Sequence, residues 1–387
     1  MVARKQAGTK KTVAGTRRVA KKARQVGYVV VGCGHFAQDA VLPAFKHAKK
    51  NSKLVALVSG DPEKHRILGR RYKVPVFGYD QYDECLALPE VDAVYIVLPN
   101  HLHAEYAERA AKAGAHVLCE KPMALSEEQC QRMMDAARDS DVRMMVAYRL
   151  HLESANLQAV EAVRKGKIGE PRYFTSSFSM QVNAPNIRVD RDKGGGVLWD
   201  IGVYCINASR YLFRAEPTEV FAFAAGGHDA RFSEVEEAVS AVLRFPDDRL
   251  AAFNVSFGAT SASTYQLVGT EGSVRLDNAY DYKGKMTLEV QAQGKTKKRT
   301  LPERDQIGPE LLYFSQCVLE GRNPEPDGRE GLADVRIIAA LYESIRTGQP
   351  VRLQPFTKPE RPTEAQEIHM RPVSAPDAFH AEPPSAG

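Results

Sequence analysis

The stretch Tyr28-Val29-Val30-Val31-Gly32-Cys33-Gly34-His35-Phe36-Ala37 decides the fold of this chain. A short apolar run leads directly into a glycine-rich turn that opens a predicted helix, which is the context that a dinucleotide-binding fingerprint requires. In such a turn Gly32 allows the tight bend, Gly34 lets the backbone approach a pyrophosphate, and Ala37 permits close helix packing. The start of the helix offers free N–H groups to phosphates. We therefore predict cofactor contacts from this turn, namely from Gly32, Gly34, His35 and Phe36.

The surrounding pattern predicts a Rossmann domain over residues 25–148. Short apolar runs alternate there with helix-like stretches such as residues 104–113 and 126–140. Continuous apolar strands separated by helices are typical of a parallel sheet that is covered on both faces. The predicted strands are residues 28–31, 54–58, 93–98, 117–118 and 144–147.

The character of the chain changes after residue 148. Strand-like runs rich in Phe, Tyr, Val and Thr follow one another with short turns such as Pro246-Asp247-Asp248. Short turns between successive strands favour antiparallel pairing. We predict that residues 149–351 form an α+β domain with a large, predominantly antiparallel open sheet, with helices near residues 154–165, 194–212 and 334–347. The predicted fold class is thus an α/β Rossmann domain plus this α+β domain.

The two ends differ from the body. The chain has 53 basic and 48 acidic residues, but nine of the basic ones and no acid lie in residues 1–24, so the rest is slightly acidic. A nucleic-acid footprint would need a basic excess on the folded surface, and we predict no specific nucleic-acid partner. We expect residues 1–24 to be a disordered basic tail and residues 352–387 a disordered proline-rich tail.

Composition also bears on the compartment. The apolar runs are strand-length, well short of the roughly 20 residues needed to span a bilayer. Arg17-Arg18 lacks the apolar stretch that an export signal requires. The six cysteines are scattered without a CxxC pair, which favours reduced thiols over disulfides or structural zinc. We predict a cytoplasmic protein that does not associate with membranes.

The end of the second strand predicts which nicotinamide cofactor is used. An enzyme that uses NAD carries Asp or Glu at this point to bind the ribose 2′-hydroxyl. This chain has Ser59-Gly60 instead, with Lys64 just beyond and Tyr79 after the third strand. Asp61 has a structural role available as the N-cap before Pro62. Hydroxyl-bearing and cationic side chains suit a 2′-phosphate, and we predict NADP.

Two later strand ends lie at the same edge of the predicted sheet. Leu98-Pro99-Asn100 ends the fourth strand, and Glu120-Lys121-Pro122 ends the fifth. Ligands bind outside the carboxyl ends of the strands in such sheets. We therefore predict cofactor contacts from Leu98, Pro99, Asn100, His103, Glu120 and Lys121, and a catalytic role for Lys121. No carboxylate or cysteine lies at ligand spacing from His101 and His103, so we predict no metal site.

Asp200 and Tyr204 form a second candidate pair. They are four residues apart in a predicted helix and so share one face. An acid and a phenol aimed at one point could position a sugar hydroxyl and exchange its proton. Free tyrosine has a pKa of about 10 and is a weak base near neutral pH. An ammonium nearby, such as that of Lys121, would stabilise negative charge on the phenolic oxygen. Arg149 and Arg188 are further candidates for contacts with the cofactor or the sugar.

Taken together, these motifs resemble the glucose–fructose oxidoreductase/inositol dehydrogenase/rhizopine catabolism protein family. The resemblance rests on residues 27–351, in particular Gly32–Ala37, Ala93–Asn100, Cys119–Ala124, Gly194-Gly195-Gly196 and Asp200–Tyr204. It implies NADP held by Ser59, Gly60, Lys64 and Tyr79, Lys121 beside the nicotinamide, and a cis peptide before Pro122. It also implies that Tyr204 is the acid/base of a sugar-oxidising branch and that the open sheet makes a homodimer or homotetramer.

Several functions stay open at this level. The favoured one is an oxidoreductase that moves hydride from C1 of an aldose to tightly bound NADP, giving a lactone, and is reoxidised by a second sugar. An ordinary aldose 1-dehydrogenase that releases NADPH is the first alternative. The others are a non-catalytic NADP-binding sensor and a protein that associates with nucleic acid through its basic tail.

Overall fold

The computed structural model describes residues 24–385 and builds them around two β-sheets. The strands of the first sheet are β1 Val26–Val31, β2 Ser52–Val58, β3 Val76–Phe77, β4 Ala93–Ile96, β5 His116–Glu120 and β6 Met144–Ala147. They are parallel and lie in the order β3-β2-β1-β4-β5-β6. This order confirms the predicted Rossmann domain.

Helices separate these strands and place the strand ends at one edge. They are α1 Leu42–Ala44, α2 Pro62–Tyr72, α3 Tyr82–Leu86, α4 His103–Lys112 and α5 Glu127–Asp139. A stretch of π-type helix, Ala37–Val41, links the glycine turn to α1. The Ser126 hydroxyl caps α5 by accepting a hydrogen bond from the backbone N–H of Gln129, 3.2 Å away. This cap follows from the Ser-x-x-Gln spacing.

The second sheet is larger and confirms the predicted α+β domain. Its strands are β7 Pro171–Ser179, β8 Glu219–Ala225, β9 Ala238–Arg244, β10 Leu250–Ser256, β11 Ala262–Gly269, β12 Gly272–Asp277, β13 Met286–Ala292, β14 Lys295–Leu301 and β15 Val351–Arg352. They lie in the order β14-β13-β12-β11-β7-β10-β9-β8-β15. All neighbours in this order are antiparallel except β7 and β10.

The remaining α-helices are α6 Ser154–Arg164, α7 Val203–Phe213, α8 Ile307–Glu320 and α9 Gly328–Thr347, and a π-type stretch, Leu198–Gly202, leads into α7. Three of them, α6, α7 and α9, pack on one face of the second sheet. The fourth, α8, returns to the first domain and packs on β1 and β2. The division into residues 25–148 and 149–351 is therefore not a clean one, because α8 belongs to the second range in sequence and to the first domain in space.

The need for α8 follows from the sequence of β1. Val29 and Val31 point to one core of the protein, whereas Tyr28 and Val30 point to the other. A strand that is apolar on both faces has to be covered on both. Helix α8 supplies part of the second cover, and the hydroxyls of Tyr28 and Ser315 lie 2.8 Å apart where the two elements meet.

The C-terminal segment, residues 352–385, corrects a prediction. Its composition predicts disorder, yet the structure packs it as irregular chain on the body of the protein. The Lys358 ammonium lies 3.2 Å from Glu325 and 3.1 Å from Glu330, and the Arg361 guanidinium lies 2.6 Å from Glu216. These acids are buried or nearly so and require positive partners. The predicted basic tail, residues 1–24, falls outside the described residues except for Arg24.

None of the helices that can be described is apolar over a length sufficient to traverse a lipid bilayer. The six cysteines are buried and carry free thiols.

Candidate active site

A cavity of about 610 Å³ lies at the carboxyl ends of the first sheet and is closed on the other side by the second domain. The glycine turn, the ends of β2, β4 and β5, and the start of α7 all contribute to its walls. This is the edge at which open α/β sheets bind their ligands. All site residues predicted from the sequence line this cavity except His103.

The glycine turn has the shape that a dinucleotide requires. Gly32 has φ +97°, and a Cβ atom there would lie 2.3 Å from the carbonyl oxygen of Val97, so only glycine fits. A Cβ atom on Gly34 would meet no protein atom within 4 Å. Because Gly34 lines the cavity, the space it leaves is open to a ligand rather than filled by the protein. The turn therefore fits a pyrophosphate lying close to the backbone.

The end of the cavity beside β2 holds the residues predicted to bind the adenosine ribose, Ser59, Gly60, Lys64 and Tyr79, together with Asp61. We call it the adenosine end. The Tyr79 ring lies against Gly60, where a Cβ atom would come within 3.1 Å of two ring carbons. Asp61 is the N-cap of α2, and its Oδ1 accepts hydrogen bonds from the backbone N–H groups of Glu63 and Lys64. Its place as a cap agrees with the expectation from Pro62.

Leu98, Pro99 and Asn100 line the middle of the cavity. The Asn100 amide donates a hydrogen bond to the carbonyl of Gly194 at 2.8 Å, which ties the end of β4 to the loop before α7. The Glu120 carboxylate also reaches the cavity, and it accepts a hydrogen bond from the Tyr95 hydroxyl at 2.7 Å. Burial raises the pKa of the Glu120 carboxyl above its ordinary value.

His103 is not placed as a cofactor contact. Its ring is fully buried, with Nδ1 2.8 Å from the carbonyl oxygen of Pro122 and Nε2 2.9 Å from that of Leu98. It therefore joins two strand ends from behind the cavity wall. The expectation was wrong because the first turn of α4 points back into the sheet edge at this position, which sequence position alone does not reveal.

Lys121 and Asp200 meet at the opposite end of the cavity. The Lys121 ammonium donates to the Asp200 backbone carbonyl at 2.8 Å and to Asp200 Oδ1 at 3.0 Å. Arg188 Nε donates to the other carboxylate oxygen, Oδ2, at 2.6 Å. The peptide between Lys121 and Pro122 is cis, as the resemblance implies. The carboxylate is thus shared between two cations, one on each of its oxygens.

The charges at this end reinforce one another. Burial by itself would raise the pKa of the Asp200 carboxyl, but Arg188 and Lys121 hold that pKa well below its usual range. Burial by itself would lower the pKa of the Lys121 amine, but Asp200, Tyr204 and Glu120 raise it above its ordinary value. The ammonium and the carboxylate are therefore both charged around neutral pH.

Tyr204 is half-buried beside this pair. The Arg149 guanidinium donates a hydrogen bond to its hydroxyl at 3.1 Å and lies 5.0 Å from the centre of its ring. The Lys121 ammonium lies 4.8 Å from the same centre. Arg149 also donates to Gln306 and to the carbonyl of Tyr280, which fixes the guanidinium. We call these four side chains the reaction end: Lys121, Arg149, Asp200 and Tyr204.

Sequence reasoning missed how this end is connected. The contact of Arg149 with the phenolic oxygen joins residues 55 positions apart and has no local signature. The ion pair of Arg188 with Asp200 places Arg188 in the cavity wall, although the sequence singles it out only as a general candidate. The C-terminal residues of the cavity wall carry no sequence signal: His380, Ala381, Glu382 and Pro384.

Across residues 24–385, no cluster of three or more His, Cys, Asp or Glu side chains is arranged to hold a metal ion. What the cavity does present is a glycine turn for a pyrophosphate, an adenosine end, and a phenol between two cations. These residues fit a nicotinamide dinucleotide extended from β2 towards Tyr204.

Two family models match the chain. Residues 26–148 match an oxidoreductase family with an NAD-binding Rossmann fold, and residues 156–275 match the GFO/IDH/MocA C-terminal domain. A D-xylose 1-dehydrogenase [NADP(+)] of Haloarcula marismortui is 32% identical over 337 residues, which are 85% of this chain and 93% of that protein.

Solved structures agree with this assignment. An aldose-aldose oxidoreductase from Caulobacter crescentus, crystallised with glycerol, is 35% identical and superposes with a TM-score of 0.80, covering 85% of this chain and all of that one. A 3-ketoreductase from Actinomadura kijaniata, in complex with NADP and TDP-benzene, is 27% identical, with a TM-score of 0.76 over 83% of this chain and 98% of that one.

Proposed function

Because this chain belongs to the GFO/IDH/MocA oxidoreductase family, we propose that it oxidises an aldose at C1 with NADP and is reoxidised by a second sugar. The observation that carries the proposal is the position of Tyr204, whose hydroxyl lies against Arg149 and whose ring lies under Lys121, in the same cavity as the glycine turn. The product of the first step would be an aldonolactone.

NADP is the cofactor that the adenosine end suits. When bound, NADP accepts a hydride at C4 of its nicotinamide ring. The residues that would hold it are those of the glycine turn, the adenosine end and the middle of the cavity: Gly32, Gly34, His35, Phe36, Ser59, Gly60, Lys64, Tyr79, Leu98, Pro99, Asn100 and Glu120. The xylose dehydrogenase relative is an NADP(+) enzyme by name, and the 3-ketoreductase relative was solved in complex with NADP.

The residues of the reaction end would have different roles in the transfer of one proton. Tyr204, as the phenolate, would take the proton of the C1 hydroxyl as hydride leaves the same carbon for the nicotinamide. Lys121 and Arg149 would stabilise the negative charge on the phenolic oxygen before the transfer and the charge that develops on the sugar oxygen during it, which is the larger part of such catalysis. Asp200 acts as a positioning residue, because both of its carboxylate oxygens are occupied by Lys121 and Arg188.

An ordinary aldose 1-dehydrogenase is the second candidate, and the xylose dehydrogenase relative favours it. The aldose-aldose oxidoreductase relative favours the cycle with two sugars. The two candidates share the oxidation of the first sugar and differ in the fate of the reduced cofactor. In the ordinary dehydrogenase the reduced cofactor leaves the protein, and in the two-sugar oxidoreductase it stays bound until a second sugar arrives.

One experiment separates them. Freshly purified protein without added cofactor is monitored by nicotinamide absorbance, first alone, then with glucose, and then with fructose. A rise followed by a fall supports a resident cofactor that cycles between two sugars. A signal that requires added NADP and then grows continuously supports the simple dehydrogenase. Absence of any response over a wider panel of sugars, with NADP bound, would contradict both and leave a non-catalytic sensor.

We also propose that the second sheet mediates self-association. Its outward face carries large apolar side chains with high exposure, among them Tyr173 at 48% and Phe223 at 67%. Val242 and Leu250 lie between them on the same sheet, each 43% exposed. Apolar patches of this kind usually mark an interface. Light scattering should give a homodimer or homotetramer, and Phe223→Glu should weaken it.

A further inference from the structure

The C-terminal segment reaches the cavity at its far end. The Asp377 carbonyl accepts a hydrogen bond from Arg71 at 3.0 Å, and the Pro384 carbonyl accepts one from the backbone N–H of Asn183 at 3.0 Å. Arg71 lies in α2 of the first domain, whereas Asn183 follows β7 of the second. Residues 377–385 therefore bridge the two domains across the mouth of the cavity.

We call residues 377–385 the bridge. A buried side chain attaches it to the glycine turn. Gln38 has no exposed surface, and its amide both accepts from the Phe379 N–H and donates to the Phe379 carbonyl, at 2.9 Å each. The same amide donates to the carbonyl of Cys33 in the glycine turn at 3.0 Å. The Gln38 side chain thus holds the bridge next to the glycine turn, through two complementary hydrogen bonds to the Phe379 backbone and one to the Cys33 carbonyl.

The bridge also contacts the acidic side chains of the adenosine end. His380 Nδ1 lies 3.0 Å from Asp61 Oδ2, and its Nε2 lies 3.4 Å from Glu63. Since Asp61 Oδ1 already caps α2, both oxygens of this carboxylate are occupied. A free carboxylate at this point would bind ribose hydroxyls and repel a 2′-phosphate. His380 therefore engages a carboxylate of the adenosine end that would otherwise favour NAD.

We propose that residues 377–385 are part of the cofactor site, where they close the adenosine end over bound NADP and where His380 selects NADP over NAD by engaging Asp61. The proposal rests on the proposed function in so far as NADP is the cofactor. Release of the dinucleotide requires this bridge to open, because His380, Ala381, Glu382 and Pro384 form part of the cavity wall. Retention between two half-reactions follows from the same contacts.

The first test measures the release of NADPH by chasing its fluorescence from the purified protein with excess NADP. The full chain is compared with a deletion of residues 377–387, which leaves Lys358 and Arg361 in place. We expect the deletion to release NADPH at least about tenfold faster, the equivalent of about 1.4 kcal/mol of lost contacts. His369→Ala is the matched control, because His369 pairs with Glu367 on the same segment and lies outside the cavity wall.

The second test measures dissociation constants for NADP and NAD by calorimetry. We expect His380→Ala to lower the preference for NADP by about fivefold to tenfold, since an unpaired Asp61 carboxylate then faces the phosphate. Asp61→Asn keeps the cap on α2. The double variant, His380→Ala with Asp61→Asn, should therefore recover most of the preference for NADP over NAD. A double-mutant cycle of this kind isolates the interaction between the two side chains.

The outcomes separate the two proposals. A full chain that binds neither NADPH nor NADP would overturn the proposed function, whatever the bridge does. A full chain that binds NADPH and releases it no more slowly than the deletion, with no change of preference in His380→Ala, would overturn this inference alone. If the deletion fails to fold, the preference of His380→Ala and of the double variant decides the matter.

Discussion

The two ends of the cavity are built in different ways. At the reaction end, Lys121 directly follows β5 and Asp200 lies in the π-type stretch that leads into α7, with side chains only 12% and 16% exposed. At the adenosine end, Asp61 and His380 are 29% and 50% exposed, and one of them comes from irregular chain more than 300 residues later. The end proposed to perform the chemistry is held by buried charges at or next to the ends of regular elements, and the end proposed to bind the adenosine is completed by a surface segment.

The difference implies that catalytic rate and cofactor affinity can be changed independently. Substitutions at the reaction end should alter kcat and leave the dissociation constant of NADP nearly unchanged. Substitutions at the adenosine end should do the reverse. The following variants test whether kcat and the affinity for NADP change separately.

The largest effect is expected for Tyr204→Phe. Loss of the phenolic oxygen removes the proposed acceptor of the sugar proton, and kcat should fall by about 10²–10⁴-fold. The dissociation constant of NADP should stay within about twofold of the original. Steady-state kinetics and calorimetry on the same preparation check both values, and unchanged turnover would exclude Tyr204 as the acid/base.

Lys121→Met should come next. The side chain keeps its length but loses the charge beside Tyr204, so kcat should fall by about 10²–10³-fold. Arg188 still neutralises Asp200, and the fold should be retained. Thermal unfolding provides the control. A variant that loses affinity for NADP rather than rate would show that the ammonium acts in cofactor binding.

Asp200→Asn tests the charges through pH. Among the charges that raise the pKa of Lys121 against the effect of burial, Asp200 has the largest effect. Without it burial prevails, the pKa of Lys121 falls, and the ammonium is lost at a lower pH than in the original protein. Activity that depends on the ammonium should therefore decline as pH rises through this lower value.

The measurement is the pH profile of kcat/KM for Asp200→Asn and the original protein. We expect the alkaline limb of the variant to shift by about one pH unit or more towards neutrality. Asp190→Asn serves as the control, because Asp190 pairs with Lys193 on the loop before α7 rather than with Lys121. Superimposable alkaline limbs would argue against the ammonium as the group that limits activity.

The smallest effect is expected for Lys64→Ala at the adenosine end. Lys64 lies at the cavity wall and is partly exposed to solvent, so its contact with a 2′-phosphate should be worth no more than about fivefold in the dissociation constant of NADP. The loss should shrink as salt is added. NAD binding and kcat should not change, and a fall in kcat would break the separation between the two ends.

Much of the first domain could be predicted from the sequence because its signals are local. The glycine turn, the apolar strands and the position of Lys121 at the end of β5 each depend on a few consecutive residues. The Rossmann sheet is present in the structure, and so is the cis peptide before Pro122, which the family resemblance implies. His103 shows the limit of such reasoning, because adjacency to a binding strand says nothing about which way a ring points.

The parts that could not be predicted depend on distant contacts. Strand β14 consists largely of charged and exposed residues, which suit a sheet edge but lack the alternation of a buried strand. The C-terminal segment has too few apolar residues to predict folding, and it is held instead by Lys358 and Arg361 among buried acids. The composition of a segment counts its own apolar residues. It does not reveal the buried acidic side chains elsewhere in the fold with which the segment forms ion pairs.

Helix α8 has a consequence for the modularity of the chain. If residues 25–148 were excised and fused to another substrate domain, the face of β1 and its neighbours that α8 covers would be bare, including Tyr28, Val30 and Leu57. An apolar patch of this kind invites aggregation. The dinucleotide domain is therefore not a portable unit, and transplanting it would require residues 307–320 to travel with it.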